Sequence, residues 1–312
     1  MSGWRAALVA LLVGGVVLLT GYVVSRPGSD PGPGGVTTST AAEVDTDVVL
    51  ACVAGLESAC DAAAAVLGVA TSTWAPGDPL PERGVVLAPS GAVEGGTVVA
   101  ESPIVVAGWR TRWQRLELAC GAGVDIECVA SALGKSWDDL GGSSAWGDFK
   151  IGLADPTSSE EALLAWSMLE PLADPSALKI SLRLRGRTDM SLVEDLVVFG
   201  DSRADVVVTT EVVVAAQFQN AIDRGDGRFE IGYPVSGPWV EYVAVANGRG
   251  ASGLVERLGE ADVQRAMSEA GLRPVGGIVE PAHEALGTPG SKASGPDAAV
   301  RGTLIARWEE LA

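Results

Sequence analysis

Short apolar runs alternate with stretches of helical spacing along most of this chain, and that alternation limits the fold more than any other feature. Val48-Val-Leu-Ala-Cys-Val leads through Gly55 into the alanine-rich stretch Leu56–Gly68. Phe149–Asp155 breaks at Pro156 and leads through Thr157-Ser-Ser-Glu-Glu into the apolar stretch Ala162–Leu169, with Ser158 and Glu161 at capping-box spacing. Asp205-Val-Val-Val-Thr-Thr-Glu211 leads into Val212–Ile222. Val85–Ala88, Val98–Ala100, Ser102–Gly108, Arg228–Pro234 and Val240–Ala246 read as further strands, and Trp109–Cys120 as a helix. Val255, Leu258, Val263, Ala266, Met267 and Ala270 keep helical spacing up to Gly271. Strands alternating with helices predict an α/β fold of βα units with mainly parallel sheets. Uncharged strands such as Val206–Val208 suit sheets covered on both faces.

In such sheets ligands sit beyond the carboxyl ends of the strands, where helix N-termini offer free backbone N–H groups. Three loops fit that geometry: Val53-Ala54-Gly55, Asp155-Pro-Thr-Ser-Ser159 and Thr209-Thr210-Glu211. From spacing alone, an ordinary helix cap is the commoner reading of each.

Composition removes other classes of function. With 40 acidic against 22 basic residues, the formal charge of −18 leaves little from which to build a phosphate-gripping face, so nucleic acid is not an expected partner. The single histidine, His283, excludes histidine metal clusters and Ser-His-Asp triads as economical readings, and no base is placed to activate a nucleophile. Neither an enzyme nor a bound metal or cofactor is expected.

The N-terminus reads as an anchor. Ala6–Val24 is nineteen residues without a charge, spanning roughly 28 Å as a helix, close to a bilayer's hydrocarbon thickness. It runs into Gly-Tyr-Val-Val-Ser-Arg, a poor cleavage site, so an uncleaved signal anchor over residues 1–25 is expected rather than a removed signal peptide. Residues 26–45 form a Pro/Gly/Thr-rich linker. Beyond it lie two C-x7-C pairs, Cys52/Cys60 and Cys120/Cys128, in the echoing contexts Leu50-Ala-Cys-Val-Ala-Gly and Leu118-Ala-Cys-Gly-Ala-Gly. The spacing is wrong for zinc, and neither pair has a basic neighbour to activate a thiol, so two structural disulfides are expected. Disulfides place the body outside the cytoplasm, giving a single-pass cell-membrane protein with an extracytoplasmic C-terminal portion.

The order of the loops carries a resemblance. Ser102-Pro-Ile-Val-Val-Ala, a tryptophan-bearing helix, Ser136-Trp-Asp-Asp-Leu-Gly-Gly and Trp146-Gly-Asp-Phe-Lys-Ile-Gly-Leu-Ala-Asp-Pro-Thr-Ser-Ser follow one another. Then come Asp205–Glu211, Gly232-Tyr-Pro-Val-Ser-Gly-Pro and Ala266–Pro274. Together they resemble bacterial extracellular solute-binding proteins of the type 2 periplasmic-binding-protein fold, in the branch of molybdate, sulfate and iron binders and of actinobacterial type. The resemblance implies two α/β lobes closing on a ligand, with residues 46–108 and 234–282 in lobe 1 and 109–233 in lobe 2. The residues themselves make 283–312 a C-terminal tail, with Gly287–Pro296 a linker and Val300–Leu311 a short last helix that packs back or docks a partner. Carried over by position, Ala54, Gly55, Ser102, Thr157, Ser158, Ser159, Thr209, Thr210, Glu211 and Tyr233 face the cleft. The implied partners are a small solute and an ABC transporter permease or a membrane sensor.

The sequence departs from that pattern twice. Between Gly68 and Ser102 it is short by about one strand–helix unit, and Glu160 and Glu161 stand at a helix start, where they satisfy the dipole and repel an arriving anion. Two readings follow: a tethered solute-binding module, or a cell-envelope interaction protein that keeps the fold without the ligand. A filled or sealed cleft would count against the first. Of the tryptophans, Trp109, Trp113, Trp137, Trp146 and Trp166 read as core, and Trp74 and Trp239 as exposed contacts. Arg183, Arg185 and Arg187 form a basic strip, read as a solvated face.

Overall fold

The computed structural model describes residues 47–121, 123–184, 188–223, 229–275 and 286–311. The expected N-terminal anchor and linker, His283, and Arg185 and Arg187 of the basic strip lie outside them. Among the described residues no helix is long and apolar enough to cross a membrane.

The strands are β1 (Val49–Cys52), β2 (Ala70–Thr73), β3 (Gly84–Pro89), β4 (Thr97–Trp109), β5 (Ile151–Leu153), β6 (Leu182–Leu184), β7 (Val206–Thr210), β8 (Phe229–Gly232), β9 (Ser236–Asn247), β10 (Arg273–Pro274) and β11 (Ser291–Ala293). The helices are α1 (Glu57–Leu67), α2 (Arg110–Cys120), α3 (Ile126–Ala132), α4 (Glu160–Leu169), α5 (Pro175–Ser181), α6 (Asp189–Phe199), α7 (Glu211–Asp223), α8 (Ala251–Leu258), α9 (Ala261–Glu269) and α10 (Ala298–Leu311).

Strand order is β2-β1-β3-β9-β4-β7-β5-β6, with β8 and β10 paired to β4 and β11 to β9. The sheet is mixed, which corrects the expectation of mainly parallel pairing. β1 pairs in parallel with β2 and β3, and β5 with β6 and β7, as βα units require. The centre is antiparallel, because β4 and β9 are long strands running through the middle of the molecule. β4 fuses two expected strands. Its residues Thr97–Pro103 pair with β9, and from Ile104 onward it pairs with β7. Pro103, with no N–H to donate, stands at that changeover. The sheet thus has two halves: β2, β1, β3, β9 and the start of β4 form one, and the end of β4 with β7, β5 and β6 forms the other.

The buried strands are β-branched: β3 and β7 are buried at every position, while the polar edge strand β2 is exposed along its length. One expected helix is two. α8 ends at Gly259, and Glu260 takes an extended conformation before α9. Both disulfides form. Cys52–Cys60 ties β1 to α1 with Cα atoms 6.6 Å apart, and Cys120–Cys128 ties the end of α2 to α3 at 5.5 Å. Trp109, Trp113, Trp137 and Trp166 are core residues as expected, and the half-buried Trp146 packs edge-on against Trp137 at 5.3 Å. Trp74 corrects the expectation of exposure. It is buried, and its indole N–H donates to the Asp78 carbonyl.

Candidate functional site

α7 starts where β7 ends, and Glu211 is its first residue. A carboxylate there suits the positive end of the helix dipole. Glu211 is 1% exposed and receives a two-pronged bond from Arg273 of β10, Nε to Oε2 at 2.5 Å and Nη2 to Oε1 at 2.6 Å. The Tyr233 hydroxyl donates to Glu211 Oε1 at 2.7 Å and accepts from the Gly287 N–H at 3.1 Å, while Arg273 also donates to the Gly287 carbonyl. Burial lowers the guanidinium's affinity for its proton, but the bonds from Glu211 more than offset this and raise the Arg273 pKa. Burial and the neighbouring Glu211 raise that of Tyr233. Ser102 Oγ, fully buried on β4, accepts the Val212 N–H of α7 at 3.0 Å. Ser102, Glu211 and Tyr233 are therefore brought together, each already bonded within the protein.

A second cluster lies at the start of α4. Ser159, not Ser158, is the N-cap: its Oγ accepts from the Ala162 N–H at 3.0 Å, whereas Ser158 Oγ donates to the Asp155 carbonyl. Ser159 Oγ lies 3.0 Å from Glu161 Oε2 and 2.8 Å from Asp189 Oδ2. Thr209 Oγ1 donates to Asp189 Oδ1 at 2.8 Å, and both are buried. Tyr242 of β9 donates to Glu161 Oε1 at 3.4 Å, with the buried Thr210 hydroxyl beside it. Burial, with Asp189 alongside, pushes the Glu161 carboxyl up to about 7; burial likewise raises Asp189. Tyr242 is raised by burial and by Glu161. The contact between Tyr242 and Glu161 joins the two halves of the sheet.

The remaining positions are turn residues. Gly55 is buried at φ +97°, a conformation glycine tolerates, and a Cβ there would lie 3.3 Å from Val213 on α7. Its N–H is taken by Glu57. Ala54, Thr157 and Ser158 are exposed, and Thr157 is bonded to Asp155.

Beside these clusters lies a cavity of about 450 Å³, walled by Ser90 after β3, Trp239 and Glu241 of β9, Glu160 of α4, and Lys292 and Arg301 from the C-terminal segment. Trp239, expected as an exposed contact, is half-buried on the cavity wall. None of the ten ligand positions lines this cavity, although Glu160 directly follows Ser159. Arg301 forks Glu160, Nη1 to Oε2 at 2.5 Å and Nη2 to Oε1 at 2.6 Å, and Lys292 Nζ bonds Glu101 and Glu241 at 2.8 Å each. Trp308 of α10 packs edge-on against Trp166 of α4, whose indole N–H donates to the Leu304 carbonyl.

Sequence reasoning missed Asp189, Tyr242, Arg273, Glu101, Lys292 and Arg301. A signal existed for Asp189: Thr188 caps α6 by accepting from the Ser191 N–H, and Leu192, Val193, Leu196 and Val197 follow at helical spacing. The arginines and Lys292 had none, because their carboxylate partners lie 51 to 191 residues away in the chain. Among the described residues no group of three His, Cys, Asp or Glu side chains could hold a metal ion. The chemistry on offer is recognition by charge-assisted hydrogen bonds and an aromatic wall.

No protein-family model matches the chain, and no curated protein does. Solved structures do. An iron- and citrate-bound protein from Trichodesmium, IdiA (FutA), aligns with a TM-score of 0.53 at 12% identity over 85% of this chain and 99% of its own. An extracellular solute-binding protein from Bordetella parapertussis, named as putative, aligns at 0.52 with 14% identity over 85% and 98%. The sulfate-binding protein SubI from Mycobacterium tuberculosis H37Rv aligns at 0.50 with 14% identity over 73% and 86%. With its crossing central strands and flanking βα units, the chain has the fold of the type 2 periplasmic solute-binding proteins.

Proposed function

We propose that this chain is an extracytoplasmic solute-binding module, tethered to the cell membrane by its N-terminal segment, that captures a small polar solute between its two lobes. It would pass that solute to an ABC transporter permease or report it to a membrane sensor. The observation that supports this most is the cavity of about 450 Å³ between the halves of the sheet. Its size falls within the range of small-molecule sites, and its lining is largely polar and charged with one aromatic wall, which suits a polar solute. The two disulfides suit an oxidising compartment. No catalytic step enters the proposal: the polar groups at the lobe junction are hydrogen-bonded to one another, and none is an activated nucleophile.

One observation favours a second reading, in which the fold serves a stable cell-envelope partner. Ser102, Glu211 and Tyr233 are fully engaged inside the protein, so the positions implied by resemblance are not free to receive a ligand. A thermal-shift screen of the full chain against oxyanions, metal ions, amino acids and sugars separates the two. Binding to the native state raises Tm by mass action, so a dose-dependent rise with one class of solute is the expected outcome. A flat response from folded protein, together with one protein retained in a membrane crosslink, would reverse the preference.

A further inference from the structure

We infer that the C-terminal segment from Ser291 to Leu311 is a built-in occupant of the cleft, seated on carboxylates that would otherwise receive a small organic cation carrying ammonium or guanidinium groups. This rests on the solute-binding reading above and gives it a ligand class and a means of control.

The segment bridges the two halves of the sheet. β11 pairs in parallel with the start of β9, from Ser236 to Pro238, which carries Lys292 to Glu101 of β4 and Glu241 of β9. Farther along, Arg301 reaches Glu160, the first residue of α4 over the other half. Two cations on one short segment thus meet acids from both sides of the cavity. Three carboxylates against two cations leave one negative charge in excess. The carboxylate of Glu160 at the start of α4 also makes this end of the cleft hostile to anions. What suits it is what the segment already presents: an ammonium on paired carboxylates and a planar guanidinium forked onto one. Trp239, on the cavity wall, adds an aromatic side chain of the kind on which a guanidinium stacks.

The segment is also held loosely enough to exchange. The Lys292 and Arg301 side chains are 40% and 32% exposed, unlike Arg273 at 6%. Ion pairs that wet are weak. A second cavity of about 450 Å³, beside Thr303 and Leu304, and a third of about 220 Å³, beside Glu310 and Leu311, lie along α10. Both are open to solvent, so much of α10 faces water rather than packed protein. The indole of Trp308 against Trp166 is its main apolar anchor and keeps the segment tethered when the ion pairs open.

The test uses the full chain with its disulfides intact. Thermal shift is measured with arginine, agmatine and spermidine, against glutamate, sulfate and glucose, for the native protein and for Lys292→Gln/Arg301→Gln. Hydrogen exchange of residues 291–304 is followed with and without each cation. The expected result is a dose-dependent rise of about 5 °C with a cation near a hundredfold excess over Kd. Affinity should be at least tenfold tighter in the double variant, and exchange across 291–304 should speed up when the cation binds the native protein. Equal affinity in both proteins, with unchanged exchange, would overturn the segment as a competitor. Binding only of glutamate, sulfate or glucose would overturn the cation class while leaving solute binding intact. No shift with any compound in either protein would overturn both. If the double variant does not fold, exchange in the native protein decides alone.

Discussion

Helices α4 and α7 each begin with a hydroxyl residue followed by glutamate, Ser159-Glu160 and Thr210-Glu211, and each glutamate is forked by an arginine from far along the chain. Local sequence makes the two starts look alike, and their surroundings make them different. Glu211 and Arg273 are 1% and 6% exposed, and Tyr233 and Gly287 close the network around them. Glu160 is 9% exposed but its partner Arg301 is 32% exposed and arrives on a segment flanked by cavities. A carboxylate at a helix start is thus a fixed strut when its cation comes from the core and an exchangeable seat when its cation comes from the rim.

The sharpest way to break that comparison is to neutralise the strut. Glu211→Gln keeps the shape of the side chain but leaves the Arg273 guanidinium buried without a counter-charge. Removing one partner of a buried pair costs about 3–5 kcal/mol. Urea unfolding of the full chain should show that loss, whereas Glu160→Gln should cost less than about 1 kcal/mol because Arg301 can turn to water. Equal losses at the two positions would end the distinction.

A second difference is that α4 carries a further carboxylate, Glu161, where α7 has Val212. The folded protein holds the Glu161 proton to about pH 7, against 4.5 for the free side chain, because burial and Asp189 disfavour its charge. The unfolded chain releases that proton first, so stability falls as pH rises from about 4.5 to about 7 and is level above that. At about 1.4 kcal/mol per pKa unit, Glu161→Gln should gain on the order of 3 kcal/mol at pH 8 relative to its effect at pH 4. Unfolding curves at the two pH values check this. A variant that destabilises equally at both would show that Glu161 is ionised and paired in the fold.

What was legible in the sequence and what was not follows the same line between local and distant causes. β3, β7, α1, α2 and α10 were readable because β-branched runs, glycine stops and helical spacing act within a few residues. Both disulfides were readable from an eight-residue separation. The positions of Ser102, Ser159, Thr209, Glu211 and Tyr233 came from loop order, but nothing near them in the sequence announces that Arg273, Asp189 or Val212 already engages each one. The single long β4 was hidden by Pro103, a residue that argues against a central strand unless the strand changes partners there. That Val300–Leu311 packs back was one of two expectations, but the place where α10 docks was invisible for a further reason. Its apolar residues Leu304, Trp308 and Leu311 mark a buried face, but the indole they meet belongs to a helix some 140 residues earlier, a separation set by Trp166 and Leu304.

Tyr233→Phe probes the strut more gently. It removes the hydroxyl that donates to Glu211 and accepts from Gly287, and leaves the Arg273 fork in place. A hydrogen bond to a charged group contributes about 1.5–3 kcal/mol, and Phe recovers part of this by staying packed, so a net loss of about 1–2 kcal/mol is expected. The loss should depend little on salt, since Glu211 and Arg273, the charged members of the network, are buried. A loss near zero would mean that Arg273 alone fixes Glu211.

The smallest expected effect is the most diagnostic for the seat. Arg301→Gln removes one prong of charge from a pair whose cation is one-third exposed, so side-chain entropy and water offset most of the attraction. The expected loss is under about 1 kcal/mol at 0.1 M salt, falling toward zero at 1 M, where the Debye length shrinks to about 3 Å. Urea unfolding at the two salt concentrations measures both numbers, with Glu211→Gln as the salt-insensitive partner experiment. Hydrogen exchange adds the spatial readout. If Arg301 holds a separable segment, amides of 291–304 exchange faster in the variant while those of β3 and β7 keep their protection. If the whole body loosens together, the C-terminal segment is as much a part of the core as β10, and Glu160 is a second strut.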